Sequence, residues 1–247
     1  IKRTYHEDIK RPEISFPEWG KKSDHIIRYR AFYSKIQNAR FLSHKDLNHT
    51  IQRGFRRAGI PILHSRGFHP KMLISYLPAL PLGMEGRREV LEFKSPSVFQ
   101  EREFLGRINT SLPEGIRFIG LKKLEDHCHR LHQDLEAMIY SLDLKAPEIR
   151  GLFEVAEKTD ETSSEIWEKL EKRVSEFFLM HEELSFLKTD VDRKSGKLLL
   201  RIPYPTRKGI RPQKIAEQML GIKNPVFLMC REDIHFKKRD KEASFSP

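Results

Sequence analysis

The sequence predicts an α+β protein made of two tandem ferredoxin-like (split βαβ) halves, and three observations predict it. Residues 25–124 read in order as strand, helix, extended pair, helix, strand, which is the order of a split βαβ unit. The same order recurs after a polar, His-rich bridge at 125–133. Hydrophobic residues make up only 38% of the 247 residues, yet they fall in periodic blocks, and the chain is long enough for two cores. The predicted division is therefore a linker or arm at 1–24 and a first domain at 25–133. A second domain at 134–236 and a disordered tail at 237–247 complete it.

The arm is charged, carries Pro12 and Pro17 and lacks a sustained period. HIIRYRAFYS at 25–34 alternates and is rich in β-formers, which predicts a strand. The helix predicted at 43–58 opens on Ser43 as N-cap, with Asp46 completing a capping-box arrangement. Leu47, Ile51, Gly54, Phe55 and Ala58 form its apolar stripe. Gly59 and Pro61 end it. Met72 to Leu77 is extended, and LPALPLG at 77–83 must cross irregularly, because proline cannot feed a central ladder. A strand at 88–94, a helix at about 98–110 capped by Ser97, and a strand at 116–124 complete the half.

In the second half, 135–144 reads as a strand, and 147–158 and 161–175 as helices, the latter with Ile166, Leu170 and Val174 in step. A strand pair at 177–190 and 197–203 turns at Lys194-Ser195-Gly196. PQKIAEQML at 212–220 is a helix between Pro212 in its first turn and Gly221 beyond its end, and Val226 to Cys230 is the closing strand.

Composition narrows the function classes. The formal net charge of +11 suits a polyanionic partner. Two cysteines, Cys128 and Cys230, cannot build a disulfide framework, so a reducing, cytoplasmic setting is expected. No apolar run approaches the roughly 20 residues of a membrane span, so no membrane partner is expected. His127, Cys128, His129 and His132 cluster, with Cys230 and His235 as distant candidates, but the paired spacing of a zinc site is missing; no metal is expected.

The candidate site is the polar face of the 43–58 helix with the loop that follows. Lys45, His49, Arg53 and Arg56 lie opposite the apolar stripe, with Arg57 at its edge. Arg66, Gly67, Phe68, His69 and Lys71 form a basic loop carrying one aromatic ring. Guanidinium groups bind phosphate through two parallel bonds, and Phe68 either stacks on an unpaired base or turns inward as the loop's anchor. The competing account is a solvated charged face. The expected geometry is one shared concave wall from Lys45 to Arg56 and the bend at Gly67. His44, with Ser43 or Asp46 to orient it, is the leading candidate catalytic group, with His64 or His69 as further candidate proton carriers.

Phe41, Leu42, Ser43, His44 and Asp46, then Arg56, Arg57, Ala58 and Gly59, then Ser65, Gly67, Phe68 and Pro70, followed by ISYLPALPLGMEG, give the chain a family likeness. It resembles a bacterial family of radical-SAM-linked proteins, found beside a radical SAM protein or fused to its C-terminus. His69 stands where that family usually has Asn. The resemblance implies a radical SAM partner carrying an iron-sulfur cluster and S-adenosylmethionine. The cluster is not expected in this chain, because two distant cysteines cannot supply three thiolates. The chain begins with Ile rather than Met, which fits the fused form with 1–24 as connector. The leading expectation is an RNA-binding accessory domain that presents tRNA or rRNA to that partner. A metal-independent endoribonuclease using His44, and a protein-interaction module docking the radical SAM protein, are the alternatives.

Overall fold

β1 (Lys22–Lys35) is the axis of the first half. In this computed structural model the described residues are 22–66, 68–125, 130–150, 162–205 and 211–237; most of the expected arm and tail lie outside them. The alternation read from HIIRYRAFYS buries Ile27, Tyr29, Ala31 and Tyr33 on one face of β1. Arg30 is buried on the other face, where Glu92 accepts from its Nε and Nη2 at 3.0 and 2.8 Å and Asp134 accepts at 3.0 Å. A buried guanidinium persists only when paired in this way.

α1 (His44–Arg57) follows a short 3-10 turn at Gln37–Phe41. Its predicted stripe is buried as read, and Gly59 at φ 69° accepts the left-handed conformation that stops it. β2 (Ile74–Tyr76), β3 (Glu85–Ser97), α2 (Glu101–Thr110) and β4 (Ile116–Leu124) complete this half. α1 and α2 close over the sheet through Phe55, Phe93, Phe104 and Phe118, whose ring centroids lie 5.3–6.3 Å apart where they meet.

The second half comprises α3 (Leu131–Asp134), β5 (Leu135–Asp143), α4 (Pro147–Arg150) and α5 (Thr162–Met180). β6 (Lys188–Asp192), β7 (Lys197–Pro203), α6 (Pro212–Leu220) and β8 (Met229–Phe236) follow. Among the described residues there are six α-helices and one sheet of eight strands, ordered β4-β1-β3-β8-β5-β7-β6 with β2 on β3. Every pairing is antiparallel except β3 with β8, which is parallel and only two residues long (Glu85 and Gly86 against Cys230 and Arg231). The fold is mixed α+β. No helix among the described residues is long and apolar enough to cross a membrane.

Several expected boundaries move. The strand predicted at 177–190 is shortened to β6, because α5 runs on through Phe177, which keeps helical step with buried Leu170 and Val174. Val226 to Cys230 is not the closing strand. Pro225–Leu228 forms a 3-10 turn and β8 starts at Met229. Ser97 does not cap α2. It stays in β3 at 3% exposure, and Gln100 precedes the helix without a side-chain cap. The extended segment Met72 to Leu77 pairs only over Ile74–Tyr76. The helix expected at 147–158 is seen as α4, and its remainder lies outside the described residues.

Side chains stitch the halves where the main chain does little. Arg231 on β8, 1% exposed, donates to Glu89 on β3 at 2.8 Å, to the Pro78 carbonyl at 3.1 Å and to the Tyr140 hydroxyl at 3.2 Å. Arg88 pairs with Asp233 at 3.0 Å and Arg87 with Glu232 at 3.1 Å across the same junction. The second core, built on β5, β7, β8, α5 and α6, also takes in Leu77, Met84 and Val90 from the first half. Glu89→Ala strands a buried guanidinium and is expected to lower stability by about 3–5 kcal/mol in urea denaturation. Adding Arg231→Met should recover much of that loss, since no unpaired charge then remains buried.

Candidate nucleic-acid interface

The polar face of α1 is exposed along its length: Lys45, His49, Arg53, Arg56 and Arg57 all face solvent. None of the four cations Lys45, Arg53, Arg56 and Arg57 has an acidic partner among the described residues. Arg53 and Arg57, one turn apart, line an open groove with Thr50, Thr110 and Ser111.

The basic loop is the tip of a hairpin. Leu63 N–H donates to the Lys94 carbonyl at 2.8 Å, Leu73 N–H to Leu63 at 2.7 Å and Ser65 N–H to Lys71 at 2.8 Å. Lys71 N–H also donates to the Ser65 hydroxyl at 3.0 Å. Arg66, His69 and Lys71 are exposed, and Gly67 lies outside the described residues. Phe68 is 102% exposed, so it does not anchor the loop from within.

α1 starts beside the end of β1, where Lys35 Nζ donates to the Leu42 carbonyl at 2.9 Å. It finishes near the far end of β3, where Ser95 Oγ donates to Pro61 at 2.7 Å just before the hairpin begins. Arg56 and Arg57 therefore share one end with the hairpin. At 1.5 Å per residue, His44 lies roughly 20 Å away along the helix.

Ser43 and Asp46 serve the helix end. Ser43 Oγ accepts from the Asp46 N–H at 3.2 Å and donates to its carboxylate at 2.6 Å. Asp46 is thus engaged with Ser43, and the neighbour that orients His44 is Asn48, whose Nδ2 donates to His44 Nε2 at 3.2 Å. The ring stands edge-on to Tyr76 at 5.7 Å. Burial, and then the charge of Lys35, hold its pKa below the ordinary 6.5. That shift favours the neutral imidazole at pH 7.

Behind His44 lies a narrow crevice lined by Tyr33, Lys35, Glu89 and the Leu77–Leu80 segment. Burial raises the Glu89 carboxyl pKa and lowers that of the Lys35 ammonium. The sequence reading missed both groups, as well as Arg40, Phe41 and Phe227. Lys35 was recoverable, because it continues the inward alternation of Tyr29, Ala31 and Tyr33. Phe227 was not, since it reaches this end of the molecule only through β8.

Among the described residues no group of three His, Cys, Asp or Glu is placed to hold a metal ion. His127, Cys128 and His129 lie outside them. His132 stands by the Tyr204 hydroxyl at 3.4 Å, His235 by Arg201 at 2.6 Å, and burial pushes the Cys230 thiol up to about 12.

An NMR titration should find the His44 midpoint below 6.5, and Lys35→Met should raise it by removing the neighbouring charge. Because the folded-state value is depressed, the stability linked to His44 is fully present above 6.5 and is lost as pH falls through the folded value.

A family model described as an uncharacterised protein conserved in bacteria (DUF2344) matches residues 28–202, from β1 into β7. No curated protein matches the chain.

Proposed function

The chain belongs to this family conserved in bacteria, and from that premise we propose that it is an RNA-binding accessory domain that presents an RNA to a partner enzyme. The observation that carries the reading is the exposed, unpaired cationic stripe of α1, extended at one end by Arg66, His69 and Lys71 on the hairpin. Backbone phosphates follow the stripe, and displaced counterions drive association. The motifs from Phe41 to Asp46, Arg56 to Gly59 and Ser65 to Pro70 support a radical SAM protein, fused or separate, as that partner. The iron-sulfur cluster and S-adenosylmethionine would then belong to the partner, and a tRNA or rRNA in the cytoplasm would be the RNA.

We read the halves as tandem ferredoxin-like domains at 25–133 and 134–236. Each runs strand, helix, strand, strand, helix, strand, and the strand orders β4-β1-β3-β2 and β8-β5-β7-β6 support that reading.

A second reading, a metal-independent endoribonuclease, is favoured by the neutral imidazole of His44 at one end of the stripe, a form able to accept a proton. RNA cleavage in the presence of a chelator, abolished by His44→Ala, would establish it in place of the first.

Fluorescence anisotropy with a labelled RNA tests the main reading. Affinity should fall steeply with salt, and Arg53→Ala with Arg57→Ala should reduce the log-log salt slope by about 2. A flat salt dependence, or no binding at low salt, refutes it.

A further inference from the structure

Next to the N-terminus of α1 is an exposed aromatic pair that the cationic stripe does not account for. Phe41 and Phe227 are distant in sequence, yet their ring centroids are 6.1 Å apart and tilted by 45°. Arg40 ties them together, its guanidinium lying 5.0 Å from one ring centroid and 5.6 Å from the other. Both rings remain half exposed, at 50% and 49%.

The arrangement is built. Gly83, at φ 90°, donates its N–H to the Arg40 carbonyl at 3.0 Å, and an ideal Cβ there would come within 2.6 Å of the Phe227 ring. Only glycine lets the ring lie against this backbone. Arg40 Nε is buried without a hydrogen-bond partner among the described residues, so the guanidinium is held by the rings at the expense of one donor.

We propose that Phe41, Phe227 and Arg40 form a stacking platform for an unpaired nucleobase, which makes the ligand single-stranded RNA rather than duplex. This rests on the RNA-binding reading above and deepens it. Single strands are gripped by a cationic track for the backbone combined with aromatic rings and arginine planes for the bases. Lys45, exposed and unpaired in the first turn of α1, begins such a track four residues after Phe41, Arg53 continues it about two turns further on, and that charge selects a polyanion as the occupant. A base in a duplex is already stacked and cannot reach the platform.

The test uses the full chain with a labelled single-stranded 12-mer and the same sequence annealed to its complement. Phe41→Ala is expected to weaken single-strand binding roughly tenfold, leave duplex binding unchanged and leave the salt slope intact, since no cation is removed. Phe41→Trp should retain affinity, and its indole emission should be quenched when the strand binds. Phe227→Leu, which keeps the packing against Gly83, should reproduce the selective loss. Thermal melts check that each variant is folded. If single strands bind with a steep salt dependence but the variants bind as well as the parent, the platform is wrong while the RNA reading stands. If no RNA binds, both are wrong. If the variants instead lose capture of the partner enzyme in a nuclease-treated pull-down and keep RNA binding, the patch is a protein interface and this proposal is overturned.

Discussion

The fold depends on burying one arginine. The β3–β8 junction contributes a two-residue parallel register, too little main-chain pairing to fix two halves of a sheet. Arg231 supplies what is missing by meeting β3 at Glu89, β5 at Tyr140 and the crossing segment at Pro78. Such a cluster adds little net stability over an apolar replacement of the same shape, but it penalises every arrangement that leaves the guanidinium unpaired. It therefore sets register. The irregular LPALPLG run is part of the device, since its prolines leave the Pro78 carbonyl free of any strand ladder and available to accept from Arg231.

That constraint reaches the candidate site. Holding Pro78 fixes the segment that ends at Gly83, and Gly83 in turn meets Arg40 and Phe227. Lys35 shares the crevice with Glu89 and also donates to Leu42, one residue before the N-cap of α1. The start of the cationic helix is thus tied to the junction between the halves. The hairpin at the other end of α1 is joined to β3 by the Leu63 N–H to the Lys94 carbonyl and the Lys94 N–H to the Leu73 carbonyl, is anchored in the core by buried Ile62 and Met72, and is closed near its tip by the Ser65–Lys71 pair.

Local periodicity made most of the first half legible. The alternation over 25–34, the stripe from Leu47 to Ala58 and the stop at Gly59 all predict what is seen, because each element's neighbours in sequence decide its buried face. Element order along the chain was legible too. What sequence could not disclose depends on contacts between distant residues. The aromatic doublet Phe177-Phe178 has strand propensity, yet the packing of Phe177 in the second core makes it helical. Glu89 looks like the outward residue of an amphipathic strand until Arg231, 142 positions away, takes it inside. Phe68 stands out in the sequence as a possible stacking ring because its loop is basic. Phe41 sits beside a motif that reads as a helix cap, and nothing local marks it, because its partner ring Phe227 comes from the other end of the chain.

The distribution of charge, rather than its total, gives direction to the surface. In the second half, several cations are matched locally: Arg193 with Glu171, Lys214 with Glu217, Lys197 with Glu232 and Arg201 with Glu136. Buried Arg30 and Arg231 are neutralised within the sheet. Such pairs contribute little field beyond a Debye length of about 8 Å at physiological salt. The cations on α1 and the hairpin have no such partners among the described residues, so they contribute disproportionately to the field that an approaching polyanion meets. A helix about 20 Å long can lie along several successive phosphates of a strand, which favours a linear ligand over a compact anion. Solubility alone would be served by cations dispersed among acids over both halves. Lys45, Arg53, Arg56 and Arg57 instead lie along the polar side of a single helix, the arrangement on which the proposed RNA contact rests.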